Sequence, residues 1–169
     1  MMKIEDHTIQ TLMLKDGETI PNNPRLPVIL YQGALEHSPE DTEAVFNKNG
    51  WLNSWRNGVF HYHHFHSNAH EALGVIRGVA RLQLGGEHGE EISVRAGDCL
   101  VLPAGTGHRR LRSSPDFLIA GAYPNGASYN TRIGKPEERA EALQEIRAVP
   151  IPNTDPVFGA EGPLLQLWK

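Results

Sequence analysis

Between residues 59 and 123 the chain is a run of short apolar or alternating segments, and their close spacing constrains the fold more than any other feature. The segments are 59–66, 71–77, 79–84, 91–95, 98–102, 107–112 and 116–123. Between them stand Gly85-Gly86, Gly97-Asp98 and Ser113-Ser114-Pro115, residues that favour tight reversals of the backbone. Strands recurring roughly every eight to ten residues predict an all-β antiparallel sandwich or barrel. Seventeen glycines and twelve prolines in 169 residues fit frequent turns between short strands.

The flanks add less regular elements. Residues 8–14 carry partial alternation and predict a strand, and prolines at 21, 24 and 27 lead into a second apolar run, Val28 to Tyr31. Ser38-Pro39-Glu40-Asp41 predicts a helix start, with a capping serine, proline in the first turn and acids near the positive end of the helix dipole. That helix is expected to stop near Gly50, after which Trp51, Trp55 and Gly58 lead into the segment 59–66. A second helix is expected over 136–148, with Ala140, Leu143, Ile146 and Val149 on one face. The organisation expected is one domain overall: strands and a helix over 1–57 packed on a barrel core of 58–124, then a helix and packing tail over 125–169.

Composition narrows the setting. One cysteine, Cys99, excludes an intramolecular disulfide framework and suits a reducing cytosol; its neighbours predict a small buried residue. A net charge of −4 gives no general pull toward nucleic acid or an anionic membrane, so neither is expected as a partner. There is no apolar run long enough to span a bilayer and no signal-peptide pattern. A cytoplasmic location is the expectation.

Chemistry concentrates in Phe60-His61-Tyr62-His63-His64-Phe65-His66-Ser67-Asn68-Ala69-His70-Glu71, which holds five of the nine histidines. Imidazole is the commonest protein ligand for a divalent transition metal, and a carboxylate closes the run. On a regular strand Phe60, Tyr62, His64 and His66 share one face, while His61, His63 and Phe65 share the other. Histidines at i and i+2 then stand about 7 Å apart along the strand, close enough to grip one ion. Glu71 lies just beyond a short turn, and His108 follows Pro103 and Gly105, which turn the chain before it.

These residues resemble a known family. Gly58-x5-His64-x-His66-x4-Glu71-x6-Gly78 matches the first cupin motif, and Gly97-x5-Pro103-x-Gly105-x2-His108 matches the second. The chain is similar to single-domain cupins of the RmlC-like superfamily, whose fold is a double-stranded β-helix, a small antiparallel jelly-roll barrel, here with two peripheral helices. The resemblance implies that His64, His66, Glu71 and His108 coordinate a divalent metal, Fe, Mn, Ni, Co or Zn, leaving about two positions of an octahedron open. One position departs from the pattern. The asparagine that commonly ends the second motif is replaced by Arg112, which bears on the pocket and not on the metal ligands.

The resemblance implies a metalloenzyme acting on a small oxygen-rich molecule, in one form a non-haem Fe(II) dioxygenase and in another an isomerase. The alternative is a non-catalytic cupin that holds a small ligand or only the metal, so the sequence leaves open whether the chain is an enzyme. Tyr62 and His70 are the candidate catalytic bases, and His70 is also placed as a turn residue supporting the ligands. Phe60 is expected to line the pocket. Arg110 and Arg112 are expected to share the face of His108 if that strand stays regular, where either could clamp a carboxylate or phosphate. Related cupins often pair through an edge strand, so a homodimer is expected, with residues 8–14 as the candidate seam.

Overall fold

The computed structural model describes residues 8–169, so the first residues of the region 1–57 lie outside it. Among the described residues, nine strands form two antiparallel sheets. The strands are β1 Thr8–Leu12, β2 Val28–Gln32, β3 Trp51–Asn57, β4 Glu71–Arg77, β5 Val79–Leu84, β6 Glu90–Arg95, β7 Cys99–Leu102, β8 His108–Ser113 and β9 Leu118–Pro124. The larger sheet has the order β1-β2-β7-β4-β9-β3, and the smaller has the order β6-β5-β8. This is the double-stranded β-helix expected of the motifs.

Alternation along the strands of the larger sheet splits their side chains between two cores. Val28, Leu30, Leu73, Val75, Leu100, Leu102 and Ile119 face inward and meet Ala80, Leu82, Leu84 and Val94 of the smaller sheet. Their neighbours Ile29, Tyr31, Ala72, Ile76, Cys99, Val101, Ala120 and Ala122 face outward, into a second core with Phe46, Trp51, Val157, Leu164 and Trp168. Both faces are therefore buried, which explains why β2 and β7 read as continuous apolar runs. Cys99 is buried there, as expected.

The outer face is covered by α1 (Thr42–Lys48) and by the C-terminal segment ending in the single turn α3 (Leu164–Leu167). The start of α1 is a 3-10 turn over Pro39–Asp41, and Ser38 makes no capping hydrogen bond; Thr42 instead donates to the carbonyl of Pro39 at 2.6 Å. The tail is pinned by Asp155, fully buried, which accepts from the Tyr31 hydroxyl and from the backbone N–H groups of Val157, Phe158 and Leu164. Four donors converge on one carboxylate, so its burial costs little. The Trp168 indole adds a bond to the carbonyl of Pro27 at 2.8 Å. The second helix, α2 (Arg139–Ala148), follows a 3-10 turn at Pro136–Glu138 and buries Ala142 and Ile146; Ala140, expected on that face, is exposed, because the helix turns Ala142 toward the body in its place. No helix among the described residues is long and apolar enough to cross a membrane.

Three expectations are corrected. The segment 59–66 is not a strand; β3 ends at Asn57, and residues 58–66 make only the isolated bridges His64↔His108 and Phe65↔Arg132. A strand needs a continuous ladder, and this stretch has scattered backbone partners in β8, in the turn at Gly105 and in the loop around Arg132. The strand expected over 8–14 stops at Leu12 and pairs with β2 of the same chain. β8 does not stay regular: Arg110 pairs with Leu82 but Arg112 pairs with Arg81, leaving Leu111 as an extra residue. Cross-strand partners share a face, so Arg110 keeps the inward face of His108 while Arg112 is turned outward beside Arg81.

Candidate metal centre

The turn before β8 delivers His108. Gly105 has a φ of +95°, and a Cβ there would lie 2.8 Å from the carbonyl oxygen of Asn22, so only glycine fits the reversal. The backbone of His108 then exchanges hydrogen bonds with that of His64, at 3.0 and 3.2 Å, which draws the irregular histidine segment against the smaller sheet. Glu71 enters from the first position of β4, inside the sandwich.

The structure brings His64, His66 and His108 together, one ligand nitrogen of each lying within 4.8 Å of the others, and all three side chains are buried. Glu71 Oε1 lies 3.3 Å from His66 Nε2 and 3.4 Å from His108 Nε2. Each imidazole is oriented by its other nitrogen. Nδ1 donates to a backbone carbonyl in every case: His64 to Tyr62 at 3.2 Å, His66 to Asn130 at 2.5 Å, and His108 to Thr106 at 3.0 Å. A carbonyl can only accept, so these bonds place a proton on Nδ1 and turn Nε2 toward the centre.

Glu71 is held the same way. Tyr123 donates its hydroxyl to Oε2 at 2.7 Å, and the Trp55 indole donates to that hydroxyl at 2.8 Å. The Trp55 ring lies over Gly121, where a Cβ would come within 2.3 Å of it. Oε1 is buried and makes no hydrogen bond among the described residues. An orphaned carboxylate oxygen among three Nε2 atoms fits a divalent cation, which would satisfy all four at once.

The electrostatics agree with that fit. Burial disfavours charge on Glu71, but His66 and His108 outweigh it and hold the carboxyl well below its usual range. Burial also opposes protonation of His66, yet Glu71 raises it above the ordinary imidazole value. His64, buried and facing His108, is pushed down to about 3 and stays neutral. The cluster thus holds one buried negative charge, which a cation placed among the imidazoles would complement.

The other sequence candidates are placed unevenly. Phe60 and Tyr62 are 51% and 42% exposed, stack on each other at 4.9 Å, and both touch the edge of His64. They stand at the rim because the segment is not a strand and alternation does not turn them in. Arg110 is half-buried, and its N–H donates to the carbonyl of Phe60 at 2.9 Å. Arg112 is exposed on the outer face. His70 is not brought into the cluster: it accepts from the N–H of Ala104 at 2.9 Å, donates to the carbonyl of Pro150 at 3.1 Å, and packs on Trp168. Burial pushes it down to about 4. His61 is exposed, and His63 lies outside the cluster, 3.3 Å from Gln83 Oε1.

Several participants carried no signal in the sequence. Tyr123 was legible only as the polar end of an apolar strand. Asn130 acts through its backbone carbonyl, so its side chain could not announce it. That carbonyl is fixed by a network around buried Ser67, which accepts from Asn130 Nδ2 and Arg132 Nε and donates to Glu145 of α2, each at 2.8 Å. Tyr129 stacks on Tyr123 at 4.1 Å and meets His66 edge-on at 5.0 Å.

Comparison with known proteins gives the following. The model of the Cupin domain matches residues 55–113. The Bacillus subtilis (strain 168) protein named "Uncharacterized protein YjlB" is 46% identical over 159 residues, covering 94% of this chain and 96% of its own length. Acireductone dioxygenase from Bacillus anthracis, solved with a cadmium ion in its active centre, has a TM-score of 0.38 at 14% identity, covering 56% of this chain and 63% of that one. The WlaRB TDP-quinovose 3,4-ketoisomerase from Campylobacter jejuni has a TM-score of 0.41 at 17% identity, covering 54% of this chain and 74% of that one.

Proposed function

Because the chain belongs to the cupin family, we propose that it is a metal-dependent enzyme acting on a small oxygen-rich molecule, with His64, His66, Glu71 and His108 as the ligands of a divalent ion. The observation that carries this reading is the assignment of donors around the cluster. Three Nδ1 atoms and one carboxylate oxygen are tied outward, leaving three Nε2 atoms and the unbonded Oε1 of Glu71 to face one point. Such a set suits Fe(II), Mn(II), Ni(II), Co(II) or Zn(II) and leaves positions open for substrate. An ion bound there supplies Lewis-acid polarisation and, where it is iron, redox chemistry.

The protein's own groups do the rest. Tyr123, backed by Trp55, holds Glu71 so that a single oxygen faces inward. The exposed rings of Phe60, Tyr62 and Tyr129 form the rim, where they exclude water from a bound substrate. Arg110, on the inward face of β8, supplies a positive charge that can anchor a substrate carboxylate.

Of the two reactions, we favour the oxygen-dependent one. An isomerase needs a side chain to move a proton, and both nitrogens of His70 are occupied by the backbone, which leaves Tyr62 as the remaining candidate base. Oxygen uptake by the Fe(II)-loaded protein with a panel of diols, catechols and keto acids tests this. Uptake with one of them supports a dioxygenase, and turnover without uptake overturns it in favour of isomerisation. Retention of metal with no turnover of any panel member would assign a binding protein instead. We also propose that two copies pair through β1, one of the two edge strands of the larger sheet. Light scattering that gives a monomer mass refutes the pairing.

A further inference from the structure

At the end of the smaller sheet remote from the histidines lies a hollow of about 700 Å³, and three of its lining residues are arginines. It opens beside Arg81, Arg95 and Arg112, with Ser93 and Ser113 among its hydroxyl-bearing neighbours. The site is distinct from the metal centre. His108 and Leu84 pair at one end of the β8–β5 ladder, and Arg112 and Arg81 pair at the other.

The arrangement is electrostatically unfavourable as it stands. Arg81 and Arg112 are direct cross-strand partners on one face, and like charges in that position repel. Arg95, opposite Val79 in β6, joins the same face one pair along. Only Arg81 is partnered, by Glu91 at 3.4 Å and by the Ser93 hydroxyl at 2.8 Å. The guanidinium groups of Arg95 and Arg112 make no ion pair or hydrogen bond among the described residues. Of the acids lining the hollow, Asp98 is already satisfied by the backbone N–H groups of Gly33 and Arg95, which leaves Glu36 at the rim. The chain as a whole carries a net charge of −4, so this concentration of guanidinium is local.

A bulge produces it. Had β8 stayed regular, Arg112 would point inward with His108 and Arg110; the extra residue at Leu111 re-aims it onto the arginine face. We propose that this hollow binds a small multiply charged anion, whose phosphate or carboxylate oxygens are taken by Arg81, Arg95 and Arg112. Guanidinium forks match both oxyanions, and the volume suits a metabolite-sized ligand.

Calorimetric titration at low ionic strength with pyrophosphate, and separately with citrate, tests the proposal and separates the two sources of oxyanion. Binding of either supports the site; a preference for pyrophosphate assigns a phosphate ligand, and a preference for citrate assigns a polycarboxylate. Arg95→Ala and Arg112→Ala are each expected to weaken binding at least tenfold, with unchanged circular dichroism because both side chains are exposed. Glu71→Gln, which alters the metal centre, and Arg77→Ala, on another strand, are expected to leave it unchanged. Absence of binding of both anions at millimolar concentration, or full binding by the Arg95→Ala/Arg112→Ala double variant, would overturn the site.

Discussion

Within one strand, β8, the chain passes from a buried histidine oriented by a backbone carbonyl to an exposed arginine whose guanidinium has no partner among the described residues. At the His108 end, burial is combined with outward-tied Nδ1 atoms, a braced carboxylate and one oxygen left unbonded. At the Arg112 end, like charges are set face to face in water and left to solvent. The two ends show two ways of preparing a place for an ion. A buried centre must be oriented by surrounding hydrogen bonds, because an unpaired neutral polar group there costs on the order of 1–3 kcal/mol and a charged one more. An exposed centre needs only proximity, because water screens the repulsion until a ligand arrives.

The contrast breaks most visibly at Glu71. Glu71→Gln and His108→Ala are each expected to reduce bound metal to background in elemental analysis, and full retention in both would refute the ligand set. Next in size, Tyr123→Phe removes the donor that holds Glu71 Oε2, and metal affinity measured by competition with a chelator should fall about 10- to 100-fold. Gly121→Ala pushes a methyl group into the Trp55 indole and is expected to cost about 1–3 kcal/mol in urea denaturation, lowering metal affinity with it. Ser67→Ala loosens the loop that carries the Asn130 carbonyl to His66, so a loss of about tenfold or less in metal affinity is expected. The smallest effect belongs to the other end. Arg112→Ala should change stability by less than about 0.5 kcal/mol and in the stabilising direction, since it removes a like-charge pair; a clear destabilisation would show that Arg112 has a structural partner.

Much of the fold was legible in local pattern. The strands from 71 to 123 appear within a residue or two of their expected bounds, because their alternation and glycine turns are local properties. The helices near 39–48 and 136–148 were readable from proline and acids, although the serine expected to cap the first does not do so and the second buries Ala142, not the expected Ala140, beside Ile146. The segment 59–66 misled because its composition is strand-like while its partners lie elsewhere: Phe65 bridges to Arg132, in a loop after the last strand. For the same reason Phe60 and Tyr62 stand at the rim and not inside. Arg112 misled because a bulge cannot be read from side-chain identity in one strand alone; it is a mismatch between two strands.

The sequence by itself determined the β architecture, the spacing that delivers His64, His66, Glu71 and His108, and the glycine turn that a residue with a Cβ could not make. Only the tertiary structure decided which nitrogen of each imidazole faces the centre, which oxygen of Glu71 is free, that His70 is spent on the backbone, and which way Arg112 points. The physical reason is range. Periodicity and turn chemistry act over a few residues, whereas each of these choices depends on a carbonyl, a hydroxyl or a strand partner brought in from a separate part of the chain by the packing of the two sheets.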